Sequence, residues 1–252
     1  MKRTPVPYRL ALLLVLGIVL AGCQAVPHPP STLQPAAGPV SFPAGQYRAL
    51  AQRGPVYVVD SDASSVRIYA YRAGPLASLG HNHVVAAQTM QGAIFLPGDP
   101  SNGRFDLVLP VQRLELDRPE WRRQTAGEFN SRLSDGAIAG TRRHMLGKAV
   151  LDAERYPRIA IRATSVQGEL PVLDVTADVV LHGVKHSVQV PVWVQRDGDR
   201  ITVEGQFRLR QTDFGIQPYS AAGGALQVAD DLGIHFRLVA ERRRDPFPAS
   251  GD

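Results

Sequence analysis

Val175-Thr176-Ala177-Asp178-Val179-Val180-Leu181 and, after His182 and Gly183, Ser187-Val188-Gln189-Val190-Pro191-Val192-Trp193-Val194 are the segments whose reading decides the fold. Every second residue is apolar, and successive side chains of a strand point to opposite faces, so each run predicts a strand with one buried face. His182-Gly183 lies between the runs as a hairpin turn. Working outward, the same period recurs. Val66, Ile68 and Ala70 alternate with Arg67 and Tyr69, and Phe105, Leu107, Leu109 and Val111 with Asp106, Val108 and Pro110. Ile159, Ile161 and Ala163 alternate with Ala160 and Arg162, and Ile201, Val203, Gly205, Phe207 and Leu209 with Thr202, Glu204, Gln206 and Arg208. Leu232, Ile234, Phe236, Leu238 and Ala240 close the series, and an eighth strand is expected between Val84 and Phe95. One wet face per strand indicates antiparallel pairing, because parallel sheets buried on both faces read as unbroken apolar runs. About eight such strands predict an all-β, antiparallel barrel, which removes exposed edges. Pro119 to Ala153 is poor in alternation. Glu120, Trp121, Glu128, Phe129, Met145 and Leu146 have helical spacing there, which predicts one or two short helices over a barrel mouth.

Ahead of the barrel, expected over 56–242, two segments have different compositions. Lys2, Arg3 and Arg9 precede an apolar run from Leu10 to Leu20, and Ala21-Gly22 precede Cys23. A basic segment, a short apolar segment and small residues describe a secretory signal peptide over 1–22, too short to span a bilayer. From Cys23 to Pro55 the chain holds Pro27, Pro29, Pro30, Pro35, Pro39 and Pro43 and reads as an extended linker, with a short helix around Gln46 to Gln52 carrying no chemistry. Residues 243–252 read as a flexible tail. The formal charge of +5 includes three basic residues of the signal; without them 25 basic face 23 acidic side chains, a formal +2. That small excess, with no basic stripe interleaved with aromatics, argues against a nucleic-acid partner. Cys23 is the single cysteine, so no disulfide is available and packing must stabilise the domain.

Several residues have the right chemistry for a site. In a strand His81 and His83 would project to one face, where they could contact a polar head group or supply two metal ligands, with His144, His182 or His186 as a third. Structural or head-group hydrogen bonding is the expected role, and neither a metal nor another cofactor is expected. Ser61, Ser64 and Ser65 beside Asp60 and Asp62 lack a Gly-x-Ser-x-Gly elbow and read as a turn. Asp213 before Phe214-Gly215 reads as a turn carboxylate, with Gly215 in a conformation other residues disfavour. Arg142 and Arg143 are either contacts for an anionic head group or solvated charges of a helix.

Four segments together resemble the YceI-like family, lipocalin-like barrels associated with polyisoprenoid lipids. They are Val59-Asp60-Ser61-Asp62-Ala63-Ser64-Ser65-Val66; Arg142-Arg143-His144-Met145-Leu146 with Leu151-Asp152-Ala153-Glu154-Arg155-Tyr156-Pro157; Leu181-His182-Gly183-Val184-Lys185; and Arg210-Gln211-Thr212-Asp213-Phe214-Gly215-Ile216. Two departures stand out: Ala63 where the family commonly has His, and the imidazole-rich Gly80-His81-Asn82-His83. The resemblance implies a barrel whose lumen holds a long isoprenoid chain, and it implies no enzymatic turnover. The inward faces would then be the ligand wall: Val66 and Ile68; Phe105, Leu107 and Leu109; Ile159 and Ile161; Val179 and Leu181; Val190 and Val192; Phe207; and Ile234, Phe236 and Leu238. Such a ligand has no hydrogen-bonding groups along its tail, so binding rests on apolar area removed from water. Cys23 after small residues resembles a bacterial lipobox, which implies a lipid anchor and a membrane partner. Gln24 in place of Asp implies the periplasmic face of the outer membrane. Two rival expectations are a metal-binding or stress-related enzyme built on His81 and His83, and a filled structural barrel that binds a protein.

Overall fold

Alternation closes on itself in the computed structural model of the chain. The residues described are 32–125 and 127–248, so the signal segment and Cys23 lie outside them. The wall is a meander of eight staves, three of them broken by a bend. The first stave is β2 (Val56–Val59) with β3 (Ser65–Ala73), which follow the short β1 (Gln34–Pro35) and helix α1 (Ala44–Leu50). The second is β4 (His83–Ala87) with β5 (Gln91–Phe95), and the third β6 (Arg104–Pro110) with β7 (Leu114–Leu116). Helices α2 (Pro119–Thr125) and α3 (Asp135–Leu146) precede the remaining staves. These are β8 (Arg158–Glu169), β9 (Val172–Leu181), β10 (Val184–Asp197), β11 (Arg200–Arg210) and, after the two-residue β12 (Ser220–Ala221), β13 (Leu226–Arg242). All pairings are antiparallel. β13 closes the ring on the first stave, with Ala240 opposite Val59 and Phe236 opposite Val66.

The bends have local causes. Between β2 and β3, Asp60 Oδ1 accepts from the Asp62 and Ala63 amides, and Ser64 Oγ accepts from Val239 N at 2.9 Å. Ser61 Oγ accepts from Met90 N and donates to Gln88 O, both at 2.9 Å, supplying partners where the second stave breaks. The Ser-Asp opening therefore serves turn geometry, and the single run expected over Val84 to Phe95 is two strands. At the β9–β10 hairpin, His182 and Gly183 both have positive φ, 53° and 71°, the type I′ pattern that matches strand twist. A Cβ on Gly183 would also lie 2.3 Å from the Tyr156 ring.

Pairing of β10 with β11 runs from Asp197–Arg200 up to Val192–Gly205 and stops there. The next residue, Pro191, has no N–H to give a ladder. Above it β10 pairs with β9 and, at Val184 and Lys185, with β1. Two ends can be named from these registers. The mouth end carries the loops 74–82, 182–183 and 211–225 and the crossover 117–157. The far end carries loop 96–103 and the turns at 170–171 and 198–199.

One helix takes the expected place over the mouth and the other does not. Trp121 of α2 and the following Phe129 pack on Tyr69, Val84 and Ala86, the outward residues of β3 and β4, so α2 covers an outer wall. Only α3 reaches the mouth, through Thr141, His144 and Met145. The expected linker also docks in its described part. Tyr47 of α1 is fully buried with Val56, Ala93 and Phe95, and its hydroxyl donates to Asp106 Oδ2 at 2.9 Å. Asp106 in turn accepts from Arg104 Nε at 2.9 Å and Arg162 Nε at 2.7 Å. Burial, then the neighbouring Asp106 carboxylate, raises the Tyr47 phenol above its ordinary pKa. Phe247, expected in a frayed tail, packs against Phe42 with the ring centroids 4.8 Å apart and the planes tilted by 55°, and Pro246 is buried. Proline content gives no sign of where the aromatic residues of this segment go. Among the described residues no helix is long and apolar enough to cross a membrane.

Tyr47→Ala should lower the unfolding free energy by about 3–5 kcal/mol, the usual cost of emptying a buried aromatic site. Tyr47→Phe should cost about 1 kcal/mol, since Asp106 keeps both arginines. Urea denaturation of the two variants checks this; an unchanged midpoint for Tyr47→Ala would mean that the N-terminal strap is not part of the folding unit.

Candidate functional site

The inward residues do not fill the barrel. A lower cavity of about 150 Å³ is lined by residues including Ile94, Val166, Val175, Val194, Ile201 and Val203, with Arg104 as its one charged neighbour. An upper cavity of about 330 Å³ lies toward the mouth, lined by Ala70, Val85, Leu114, Leu116, Leu209 and Leu232 among others. Six residues line both: Val66, Leu109, Ile161, Val179, Phe207 and Ile234. This places all fifteen residues of the expected ligand wall. Phe105, Leu107, Val190, Val192, Phe236 and Leu238 face the lower cavity only, Ile68, Ile159 and Leu181 the upper only, and the six shared residues form the waist between them. Apolar spaces of the lower cavity's size stay dry and admit molecules such as benzene, and the upper reaches the range of small-molecule pockets.

The upper cavity has a polar lining of His83, Thr141, His144, Gln211 and Tyr219. Gln211 donates through Nε2 to Ala229 O at 2.8 Å, where β13 bulges between Val228 and Leu232. The His144 and Tyr219 rings lie 5.1 Å apart across the mouth.

His83 has the most built surroundings. Its Nδ1 lies 2.6 Å from Asp117 Oδ2. Asp117 Oδ1 accepts from Val84 N at 2.9 Å and from Arg122 Nη1 at 2.7 Å. Arg122 also donates to Asn82 O at 2.7 Å and to Ser131 Oγ at 2.8 Å, while Asn82 Oδ1 accepts from Arg72 N at 2.9 Å. Asn82, Asp117 and Arg122 are all buried. Burial alone would raise the Asp117 carboxyl's pKa. Hydrogen bonds from His83, the Val84 amide and Arg122 outweigh it and hold the group below the ordinary carboxylate value. An ionised carboxylate only accepts, so His83 Nδ1 donates to it, and Nε2 is the ring nitrogen left for a ligand.

The remaining candidates fall elsewhere. β4 begins at His83, so His81 lies outside the strand, is exposed, and does not share the cavity face. Arg142 gives its guanidinium to Gln112 O at 2.7 Å and to Leu114 O, and Arg143 is exposed; neither lines a cavity. Asp213 accepts from Arg210 Nη2 at 2.9 Å rather than serving only as a turn carboxylate, and Gly215 takes φ +69° as expected. Among the described residues no group of three or more His, Cys, Asp or Glu is placed to hold a metal ion. Sequence reading missed Asn82, Asp117, Arg122, Gln211 and Tyr219. Asp117 is 34 residues from His83, and its only local signal is an acid between a strand and the helix-starting Pro119.

The sequence model of the YceI-like domain matches residues 57–240, which is the barrel. BcnA of Burkholderia cenocepacia superposes with a TM-score of 0.54 at 19% identity, covering 72% of this chain and 99% of that one. A polyisoprenoid binding domain from Saccharophagus degradans, implicated in plant cell wall breakdown, gives 0.51 at 16% identity, covering 74% and 98%. At such identities the likeness is one of fold. No curated protein is significantly similar in sequence.

Asp117→Ala leaves the Arg122 cation buried without its carboxylate, and should destabilise the domain by about 3–5 kcal/mol in chemical denaturation. A depressed carboxyl stabilises the fold above its unfolded pKa and loses that contribution as pH falls through the folded value. Wild-type stability should therefore drop as pH falls below about 3.9, with a shallower drop in Asp117→Ala; equal slopes would remove Asp117 from the account.

Proposed function

Since the chain belongs to the YceI-like family, we propose that it is a lipid-anchored carrier of the bacterial envelope that reversibly buries an isoprenoid chain in its lumen and performs no turnover. One observation carries this reading: a closed barrel with two apolar cavities that share a six-residue waist. The Saccharophagus domain of the same fold is a polyisoprenoid binder, which supports the same class of ligand here. Each five-carbon isoprene unit taken out of water contributes up to about 4 kcal/mol, at about 0.8 kcal/mol per methylene-sized group. A ligand arriving from a membrane gains far less, because lipid tails are already as apolar as the wall. Exchange is then close to balanced, as a carrier requires, and selection falls to the head group.

No lysine or arginine lines the upper cavity, and Arg122 and Arg142 are committed to Asp117 and to backbone carbonyls. Burying a phosphate there would leave its charge without a cation, which costs several kcal/mol. The polar lining suits an uncharged head: an alcohol that donates to His83 Nε2, which in this tautomer only accepts, or a quinone ring whose carbonyl accepts from the Thr141 or Tyr219 hydroxyl. Tethering would come from Cys23, with Gln24 directing the protein to the outer membrane, periplasmic side.

Native mass spectrometry of gently purified protein should show one retained apolar ligand per chain. Ile161→Trp or Val179→Trp, which fill the waist, should abolish retention while circular dichroism stays that of the wild type; a wild-type chain always found empty would overturn the carrier reading. Separately, Cys23→Ala should move the protein from the membrane fraction to the soluble fraction, and an unmoved variant would refute the anchor.

A further inference from the structure

The described chain enters the barrel at one particular end. β1 pairs Gln34 with Lys185 and Pro35 with Val184, beside the β9–β10 turn, and Ala36 N donates to Gly183 O at 2.9 Å. A Cβ on Gly215 would lie 3.2 Å from Leu33. Both neighbours belong to the mouth end. The upper cavity opens at the same end, between α3, loop 211–225 and the start of β4.

That end also carries exposed apolar side chains. Leu79, 70% exposed, is the most exposed large apolar residue among those described, and Leu76 (41%) precedes it in the loop joining β3 to β4. Leu33 (46%) and Tyr219 (39%) flank the same rim. The loop is not loose: Leu76 N donates to Ala225 O at 2.8 Å, and Arg72 Nη1 to Gly80 O at 3.2 Å. Leucine is thus held outward on a structured loop. A second apolar patch, Leu170, Val172 and Trp193, lies toward the far end.

The tether chooses between the patches. Cys23 is ten residues before Leu33, so the connecting chain spans at most about 35 Å fully extended. β13 has 17 residues, about 53 Å of strand, or about 40 Å of barrel height at the usual tilt. An anchor attached at the mouth cannot reach back far enough to seat the far end on the bilayer that holds it. We propose that the mouth end docks on the surface of a phospholipid bilayer through Leu76 and Leu79, so that an apolar ligand passes from the membrane into the upper cavity without crossing water. This rests on the reading of Cys23 as a lipidated anchor.

The test uses the full lipoprotein reconstituted in phosphatidylethanolamine–phosphatidylglycerol vesicles. Cys23 is the chain's single cysteine and acylated in that preparation, so Leu79→Cys or Val172→Cys gives one site for an environment-sensitive fluorophore. The probe at 79 should shift to the blue and be quenched by spin-labelled acyl chains, and the probe at 172 should report water. A water-exposed probe at 79, or stronger quenching at 172, overturns the docking. As a second readout, Leu76→Ser with Leu79→Ser should slow uptake of a short-chain menaquinone from donor vesicles at least fivefold while leaving final occupancy unchanged; unchanged uptake also overturns it. Quenching at 79 in a Leu79→Cys chain whose lumen holds no ligand would support docking and refute the carrier reading alone.

Discussion

A wall one residue thick governs this molecule. In a closed sheet of alternating side chains, each apolar residue turned inward is at once part of the stabilising core and part of the lining of whatever space remains. Ile161 and Val179 are neighbours on β8 and β9 and also line both cavities, so stability and hollowness compete for the same side chains. The domain relieves that competition by placing packing elsewhere. Tyr47, Val56, Ala93 and Phe95 form one cluster with the strap and tail, and Tyr69, Val84, Ala86, Trp121 and Phe129 another under α2. Filled outer clusters compensate for a lumen left partly empty.

The buried polar corner at Asp117 follows from the same constraint. The crossover between β7 and β8 must leave the wall and return without capping the lumen entirely. Asp117 takes a positive φ of 52°, where β7 ends, and is bonded to His83 and Val84 of β4 and to Arg122 of α2. One carboxylate thereby joins wall, helix and cavity lining. Its cost in desolvation is met by three donors, and breaking any of them exposes the rest to a low-dielectric surround. The imidazole is fixed in one tautomer by the same contact, which gives the otherwise greasy hollow a defined polar point.

Much of this was legible in the residues. Period two survives tertiary context because facing the wrong way would place a whole face of valines in water, so the inward set read from alternation is the set that lines the cavities. Residues whose roles depend on long-range pairing were not legible. His81 and His83 look alike in the sequence, and they separate only because β4 begins between them and Asp117 arrives from 34 residues away. Arg142 looked available until its position on α3 set it against the carbonyls of Gln112 and Leu114. The linker misled for a related reason: prolines report local chain stiffness, whereas Tyr47 and Phe42 find partners on β2, β5 and the C-terminal segment.

Pro191 has a mechanical corollary. From Pro191 toward the mouth, no backbone ladder joins β10 to β11 among the described residues, and the gap is bordered by Leu33, the Phe214 ring against His186, and the 3.7 Å approach of His186 to Asp213. The upper part of this junction, like the mouth end of β7, which pairs with β4 but not with β8, is held without a strand ladder. Distortion of the barrel therefore has a place at the mouth end where no β10–β11 ladder has to break, and Pro191 marks its lower limit.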